Sequence, residues 1–553
     1  MREKDVEVAM PDGVVLRVDV YRSADSTGPL PVILSAHPYG KDRLPKPRKG
    51  GGYRPIGQFR VFRHPEPIHL SAWTGWEAPD PAIWCRRGYA VVNADLRGFG
   101  KSEGVGSPFS DQEARDLYEL VEWAGTRPWS SGKVGLDGVS YLAISQYKAA
   151  ALRPPHLAAI CPWEGFTDFY RDYARPGGIR EDGFMTIWSL GLKRAGRVDL
   201  DIRAEQRSRD LFDDWYEALR PHLEQIQVPA LVCASFSDHA LHSRGSFEAF
   251  RRIRSRHKWL YTHRGGKWCT YYGAEAVSER QKFFDWALKG MDNGQEALPP
   301  VRLEVRDRGD AVQAVRREPS FPPPGVTWHK LYLDAAAGQL VEARGGEPTE
   351  GPQGSSESAP PPATAAFDHR RGTASFSWTI QEDLEVIGPM ALRLWVQLQG
   401  GTDAHLYAGV RKLSEGREVT FEGSFGFGRD LVTKGSLRAS FREADAALSM
   451  PGSPVHAHRT RRPFEPGEIA PVDIALLPSA TFFRAGDVLR LDVQGRWFFP
   501  VDPIRGQFPT RYERAPHCAT LLHTGGVHDA HLLVPVKSLA RTFRSCPGDH
   551  SSR

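Results

Sequence analysis

Cysteine is scarce: there are six in 553 residues, with no C-x-x-C pair and no metal-ligand spacing. Cys85, Cys161, Cys233, Cys269, Cys518 and Cys546 stand apart, several inside apolar runs, as free thiols do. This excludes a disulfide scaffold, and neither a metal nor a cofactor is expected. No apolar run approaches the roughly 18 residues of a membrane span, and the opening MREKDVEVAMPDG lacks the apolar stretch of a signal peptide. The expectation is a cytoplasmic protein with no membrane partner. Runs of one charge sign are missing too. The net charge of +5 is spread along the chain, which argues against nucleic acid as a partner.

What is present is a chain too long for one core, which predicts two to four domains. Residues 5 to about 163 alternate short apolar runs with helical patterns, as in Pro31-Val32-Ile33-Leu34-Ser35 and Tyr89-Ala90-Val91-Val92-Asn93-Ala94. Ser110 followed by acidic residues predicts the N-cap of a helix reaching Trp123. Such alternation predicts a doubly wound, mostly parallel sheet. From Glu164 to Glu224 the strand patterns stop, and an aromatic, helical stretch takes over. The segment Ala335–Ala366, rich in Gly, Pro and Ser, reads as an exposed linker. Short alternating runs beyond it, such as Ala391–Leu398 and Asp487–Val493, predict an antiparallel sandwich.

Gly138-Val139-Ser140-Tyr141-Leu142 lies between a strand pattern (Lys133–Asp137) and a helix pattern (Ala143–Leu152). A serine on a tight strand-to-helix turn is a nucleophile elbow, although Leu142 stands at the last glycine of G-x-S-x-G. In an α/β hydrolase an acid and a histidine follow the serine in that order. The run Ala230–Phe236 leads into Ser237-Asp238-His239, placing an acid at a strand end. Lys258–Thr262 is the next strand, and His263-Arg264-Gly265-Gly266 is the loop after it. The gap from Ser140 to Asp238 has room for an inserted domain, and that from Asp238 to His263 fits one crossover helix over Ser246–Ile253.

These motifs resemble the cocaine esterase-like hydrolases, which include X-prolyl dipeptidyl peptidases and α-amino-acid ester hydrolases. The elbow resembles their G-x-S-Y-L pattern. His37-Pro38-Tyr39-Gly40-Lys41 resembles N-P-Y-x-K, and Asp95-Leu96-Arg97-Gly98 through Ser102 and Gly104 resembles D-x-R-G-x-x-x-S-x-G. The resemblance runs from about residue 5 to 540. It implies an α/β hydrolase with an inserted helical cap and a C-terminal jelly-roll domain. The expected divisions are a core over 1–163 and 227–309, a cap over 164–226, and a linker with the jelly roll over 310–545. It further implies Tyr39 Oη and the Tyr141 N–H as oxyanion donors, with Tyr173, Trp188 and His239 against the substrate.

One departure stands out. The family pattern G-P-W-x-H sets its histidine where this chain has Gly266 or Lys267. The expectation is that a re-routed Gly265-Gly266 loop brings His263 to Ser140, with His239 or a degenerate site as alternatives. The predicted function is a serine hydrolase that cleaves a small ester or amide through Ser140, Asp238 and His263 and an acyl-enzyme. An acyltransferase on the same machinery and a non-catalytic binding protein remain as alternatives, and a homodimer is compatible.

Overall fold

The run Leu30–His37 (LPVILSAH) is buried along nearly its whole length, so it must be covered on both faces. In the computed structural model it is one of ten strands that, among the described residues, form a central sheet. These are β1 (Arg2–Ala9), β2 (Val15–Tyr21), β3 (Leu30–His37), β4 (Ala90–Asp95), β5 (Ser130–Val139), β6 (Leu157–Trp163), β7 (Ala230–Ser235), β8 (Lys258–His263), β9 (Val301–Arg308) and β10 (Ala311–Glu318). The structure describes residues 1–553 apart from 51–52, 55–67, 310, 343–358, 427, 501–506 and 540–553. Neighbouring strands run β1-β2-β4-β3-β5-β6-β7-β8-β9-β10. All pairings from β4 to β9 are parallel, while β1, β2 and β10 pair antiparallel at the two ends.

Helices cover both faces: α1 (Pro81–Cys85), α2 (Asp111–Gly125) and α3 (Tyr141–Ala151) come first. Ser110 caps α2 as its sequence predicts, its side chain accepting from the Glu113 N–H at 3.2 Å. The loop after β4 is held by its own motif residues. Asp95 accepts from the Lys41 and Lys101 N–H groups at 2.6 and 2.9 Å, and Arg97 forks onto Asp116 with both bonds at 2.7 Å. A side chain at Gly100 (φ 54°) would stand 2.2 Å from the Asp95 carboxylate. The D-x-R-G segment therefore builds the loop and does not enter the cavity at Ser140.

The stretch between β6 and β7 is free of strands. A π-helical turn (Phe169–Ala174) leads to α4 (Gly183–Ala195), α5 (Ile202–Ser208) and α6 (Asp214–Leu219), and their aromatic residues pack into the same core as the sheet. The chain returns through α7 (Ser243–Arg252) after β7, then α8 (Lys267–Tyr272) and α9 (Ala274–Lys289) after β8. Among the described residues no helix is long and apolar enough to cross a membrane.

The C-terminal part is a second core made of strands: β11 (Thr327–Asp334), β12 (Gln339–Glu342), β13 (Ala363–Asp368), β14 (Ala374–Thr379), β15 (Leu384–Gln399), β16 (His405–Ser414), β17 (Thr433–Arg438), β18 (Ile469–Phe483), β19 (Val488–Gln494), β20 (Ala519–Thr524) and β21 (His531–Ser538). In β15 the buried Leu392, Leu394, Val396 and Leu398 alternate with Arg393, Trp395 and Gln397, the period of a strand with one face on a core. The expected linker is shorter than its composition suggested. Gln339–Glu342 pairs with β11, and Ala363–Asp368 pairs with β20, while residues 343–358 lie outside the described residues. Backbone pairing recruits these small and polar residues into the sheet despite their weak strand preference.

A buried arginine joins the two parts. Arg306 of β9 donates to the Phe236 carbonyl at 3.1 Å, the Val432 carbonyl at 2.7 Å and the hydroxyls of Ser479 and Thr481 at 3.0 and 3.1 Å. Phe236 opens the loop that carries Asp238, so the sandwich braces the edge of the sheet where the candidate residues gather.

Candidate active site

Ser140 sits between β5 and α3 with φ 59° and ψ −115°. A non-glycine residue rarely adopts such a backbone, which is the strained turn expected of a nucleophile elbow. The elbow tolerates Leu142 because the space is found at Gly138. There a Cβ would lie 2.5 Å from the Leu142 Cβ, on a backbone with φ 153°. The Ser140 N–H donates to the Trp163 carbonyl at 3.0 Å, anchoring the turn to β6. The N–H groups of Ala143 and Ile144 donate to the Ser140 carbonyl, both at 2.9 Å, and those of Tyr141 and Leu142 stand in the first turn of the helix, where no intrahelical acceptor precedes them.

The residue that meets this serine is His242. Its Nε2 lies 3.2 Å from Ser140 Oγ, and its Nδ1 lies 2.5 Å from Asp238 Oδ2. Asp238 and His242 are joined by a single turn, in which the His242 N–H donates to the Asp238 carbonyl at 3.2 Å. Residues four apart on such a turn face the same way. His242 is not among the histidines singled out from the sequence, although its D-x-x-x-H spacing from Asp238 can be read there.

His263 is placed elsewhere, which corrects the expectation for the base. It is still part of β8, in register with Ser235 of β7, and its carbonyl accepts from the Phe236 N–H at 2.8 Å. Its Nε2 pairs with Glu164 Oε1 at 3.0 Å, and its ring stacks on Trp163 with centroids 6.0 Å apart. The ladder holds the residue in the sheet. Gly266 takes an ordinary φ of −60° and leads directly into α8, so the paired glycines do not turn the loop inward.

His239 is also turned away from Ser140. Its Nδ1 faces Asp430 Oδ2 at 3.5 Å, in a separate cavity between the cap and the sandwich. Lys267, at the family's histidine position, does reach the cluster. Its Nζ lies 2.9 Å from Asp238 Oδ2 and 2.8 Å from His242 Nδ1.

These neighbours set the charge states. Burial acts to raise the Asp238 carboxyl, but Lys267 and His242 overcome it and hold the group below the ordinary carboxylate range. Burial and then the Lys267 charge push His242 down to about 4, against the pull of Asp238. The imidazole is therefore neutral at neutral pH and free to accept a proton. Burial pushes Glu77 up to about 8, against Lys267 and Trp268, and Tyr39 is raised by burial and then by Glu77.

Ser140 and His242 open onto a cavity of about 260 Å³ lined by Tyr39, Trp76, Phe109, Tyr173, Trp188 and Phe425, among others. Tyr173 and Trp188, the two expected pocket aromatics, meet edge to face at 5.8 Å, and Trp188 stacks on Phe109 at 5.8 Å. Tyr39 lies beside Tyr141, with ring centroids 6.3 Å apart. Phe425 reaches in from the sandwich, 5.4 Å from Trp268 and 6.0 Å from His242. The cap, the sheet edge and the sandwich thus each supply a wall.

Two clusters among the described residues bring metal-ligating side chains together, Glu164/Cys233/His263 and Asp5/Asp19/Asp42. Neither lines this cavity. In the first, Glu164 and His263 bond to each other, and in the second the ammonium groups of Lys41 and Lys101 occupy the carboxylates.

Comparison with known proteins agrees with this architecture. Residues 12–217 match the X-Pro dipeptidyl-peptidase (S15) family, and residues 293–532 match the C-terminal non-catalytic domain of X-Pro dipeptidyl-peptidases. A CocE/NonD family hydrolase from Staphylococcus aureus is 36% identical in sequence. Its crystal structure superposes with a TM-score of 0.89 over 97% of this chain and 93% of that one. A cocaine esterase from Rhodococcus sp. (strain MB1 Bresler) is 24% identical over 96% of this chain and 98% of its own length. An α-amino-acid ester hydrolase, 16% identical with a TM-score of 0.68, shares the fold.

Proposed function

We propose, for a chain that belongs to the CocE/NonD and S15 family of α/β hydrolases and is a serine hydrolase of ester or amide bonds, that the reaction runs through Ser140, His242 and Asp238. The observation that carries this reading is the continuous relay from Ser140 Oγ to His242 Nε2 at 3.2 Å, and from His242 Nδ1 to Asp238 Oδ2 at 2.5 Å.

Ser140 Oγ attacks the acyl carbonyl as His242 Nε2 takes its proton. Asp238 holds the imidazole with Nδ1–H toward it and balances the imidazolium that forms. The carbonyl oxygen, now negative, takes hydrogen bonds from the Tyr141 N–H at the start of α3 and from Tyr39 Oη. Tyr39 and Tyr141 line the same cavity as Ser140, and donors fixed there before the charge develops lower a barrier. Burial keeps the Tyr39 hydroxyl protonated and able to donate. His242 then passes its proton to the leaving alcohol or amine, which departs. Water, deprotonated by the same nitrogen, cleaves the acyl-enzyme.

The aromatic walls favour a bulky or aromatic acyl group, because Phe109, Tyr173 and Trp188 offer flat apolar faces and few polar partners. The relatives' names supply an ester and an X-prolyl amide as the two bond classes to try first. Labelling with a fluorophosphonate tests the reading. The wild type should be labelled on Ser140, and Ser140→Ala and His242→Ala should not react. Wild-type labelling of the His242→Ala protein would remove His242 from the mechanism.

A further inference from the structure

The relay has a fourth buried member. Lys267 is fully buried, its Nζ lies 2.9 Å from Asp238 Oδ2 and 2.8 Å from His242 Nδ1, and it stands 3.8 Å from the centre of the Phe425 ring. It is the first residue of α8, on a backbone segment separate from the loop of Asp238 and His242. We propose that Lys267 is a positioning residue for the general base: it clamps Asp238 in place for the imidazole and sets a fixed cation beside the ring that must take up the proton of Ser140. The inference rests on His242 being the base.

The hydrogen-bond inventory decides how this works. A neutral imidazole has one N–H. If Nδ1 accepts from Lys267, the proton sits on Nε2, and that nitrogen cannot take a proton from Ser140. If Nδ1–H donates to Asp238, Nε2 is free to accept, and Lys267 gives its N–H to the same Asp238 oxygen. Oδ2 can receive both donors, and the shorter contact of Nδ1 is to Asp238, at 2.5 Å. The productive arrangement directs Nδ1–H and the ammonium both to Asp238 and leaves Lys267 Nζ, 2.8 Å from Nδ1, with no bond to the ring. The Phe425 ring face receives the ammonium on its remaining side.

The charge has a second consequence. A histidine beside an aspartate alone gains a proton readily. Here the aspartate already carries a partner cation, so a new imidazolium faces Lys267 as well as Asp238. The other groups around the pair do not reverse this. Glu77, after β3, is pushed up to about 8 by burial and so is mostly neutral, and Glu164, after β6, is engaged with His263. Lys434 of the sandwich feels the charge of Asp238 but is paired with Asp430, so it brings no net charge to the site. Ser140 and the rings of Phe166 and Phe425 complete the surroundings of His242 without charge.

The test is the pH dependence of Ser140 labelling by a fluorophosphonate, a rate that requires a neutral base but no turnover. In the wild type the rate should stay level down to about pH 5.5 and fall only below it, following a base pushed down to about 4. Lys267→Met should move the acid limb up toward an ordinary histidine value near 6.5, so that at pH 5.5 the variant labels about tenfold slower than on its own plateau. Lys267→Arg, which keeps the charge, should keep the low limb. A wild-type limb between about 6 and 7 would overturn the proposal whatever the variants do, including a Lys267→Met that does not fold. So would a Lys267→Met limb coinciding with that of the wild type. Should His242→Ala label normally, the triad reading fails first. If His242→Ala is inert and the limb does not move, only the role of Lys267 fails.

Discussion

Two buried histidines stand at the same edge of the sheet and keep different company. His242 follows Asp238 by one turn in the loop after β7 and lies between Ser140, Asp238 and Lys267. His263 ends β8, where the ladder to Ser235 fixes its backbone and Glu164 and Trp163 take its ring. Both are shielded from water, and both bond to a carboxylate. Only one reaches a hydroxyl on a strained turn. Burial and a carboxylate partner thus do not identify a base, because reaching the nucleophile depends on which side of the strand end the residue leaves the sheet.

Substitution separates the two sites. Ser140→Ala and His242→Ala should each lower kcat by roughly 10⁶-fold, since triad members act as a unit. A His242→Ala enzyme retaining a tenth of wild-type kcat would erase the contrast. Asp238→Asn should cost roughly 10⁴-fold, because the amide favours the wrong imidazole tautomer. Here Nδ1 can also accept from Lys267, which again puts the proton on Nε2, so a smaller loss would mean that Asp238 does not set the tautomer. Tyr39→Phe should lower kcat by roughly 10²–10³-fold with little change in KM, as expected for a donor that acts on the developing oxyanion. A rise in KM with unchanged kcat would instead make Tyr39 a ground-state contact.

The smallest effect on kcat is expected at His263. His263→Gln keeps a hydrogen-bonding group opposite Glu164 and should leave kcat within about tenfold, with its main cost in thermal stability, since it disturbs a buried pair. A kcat loss as large as that of His242→Ala, in a variant with unchanged melting temperature, would return His263 to the chemistry.

Much of this was legible in the chain itself. The run VILSAH and its relatives are too apolar for an exposed face, so the parallel sheet follows from composition and period. Ser110 before acidic residues defines the start of α2. Ser140 was legible because strand, turn and helix patterns meet around it, and Asp238 because it ends an apolar run. The Gly-, Pro- and Ser-rich segment misled at its two ends, where pairing with β11 and β20 draws Gln339–Glu342 and Ala363–Asp368 into sheets. Composition reports local preference, and a strand needs a partner distant in sequence.

The sequence by itself determined the class of fold and singled out Ser140 and Asp238 as candidate nucleophile and acid, since each rests on residues close together along the chain. Only the tertiary structure decided the partner of Ser140. His239, His242 and His263 lie within one loop, one helical turn and one crossover of Asp238, and no local pattern ranks them. The ranking comes from β8 holding His263 in register, from α7 starting one turn after Asp238, and from α8 pushing Lys267 into the space that the family pattern gives to histidine. Each of these is a long-range packing outcome, set by how the sheet edge, the cap and the sandwich close on one another.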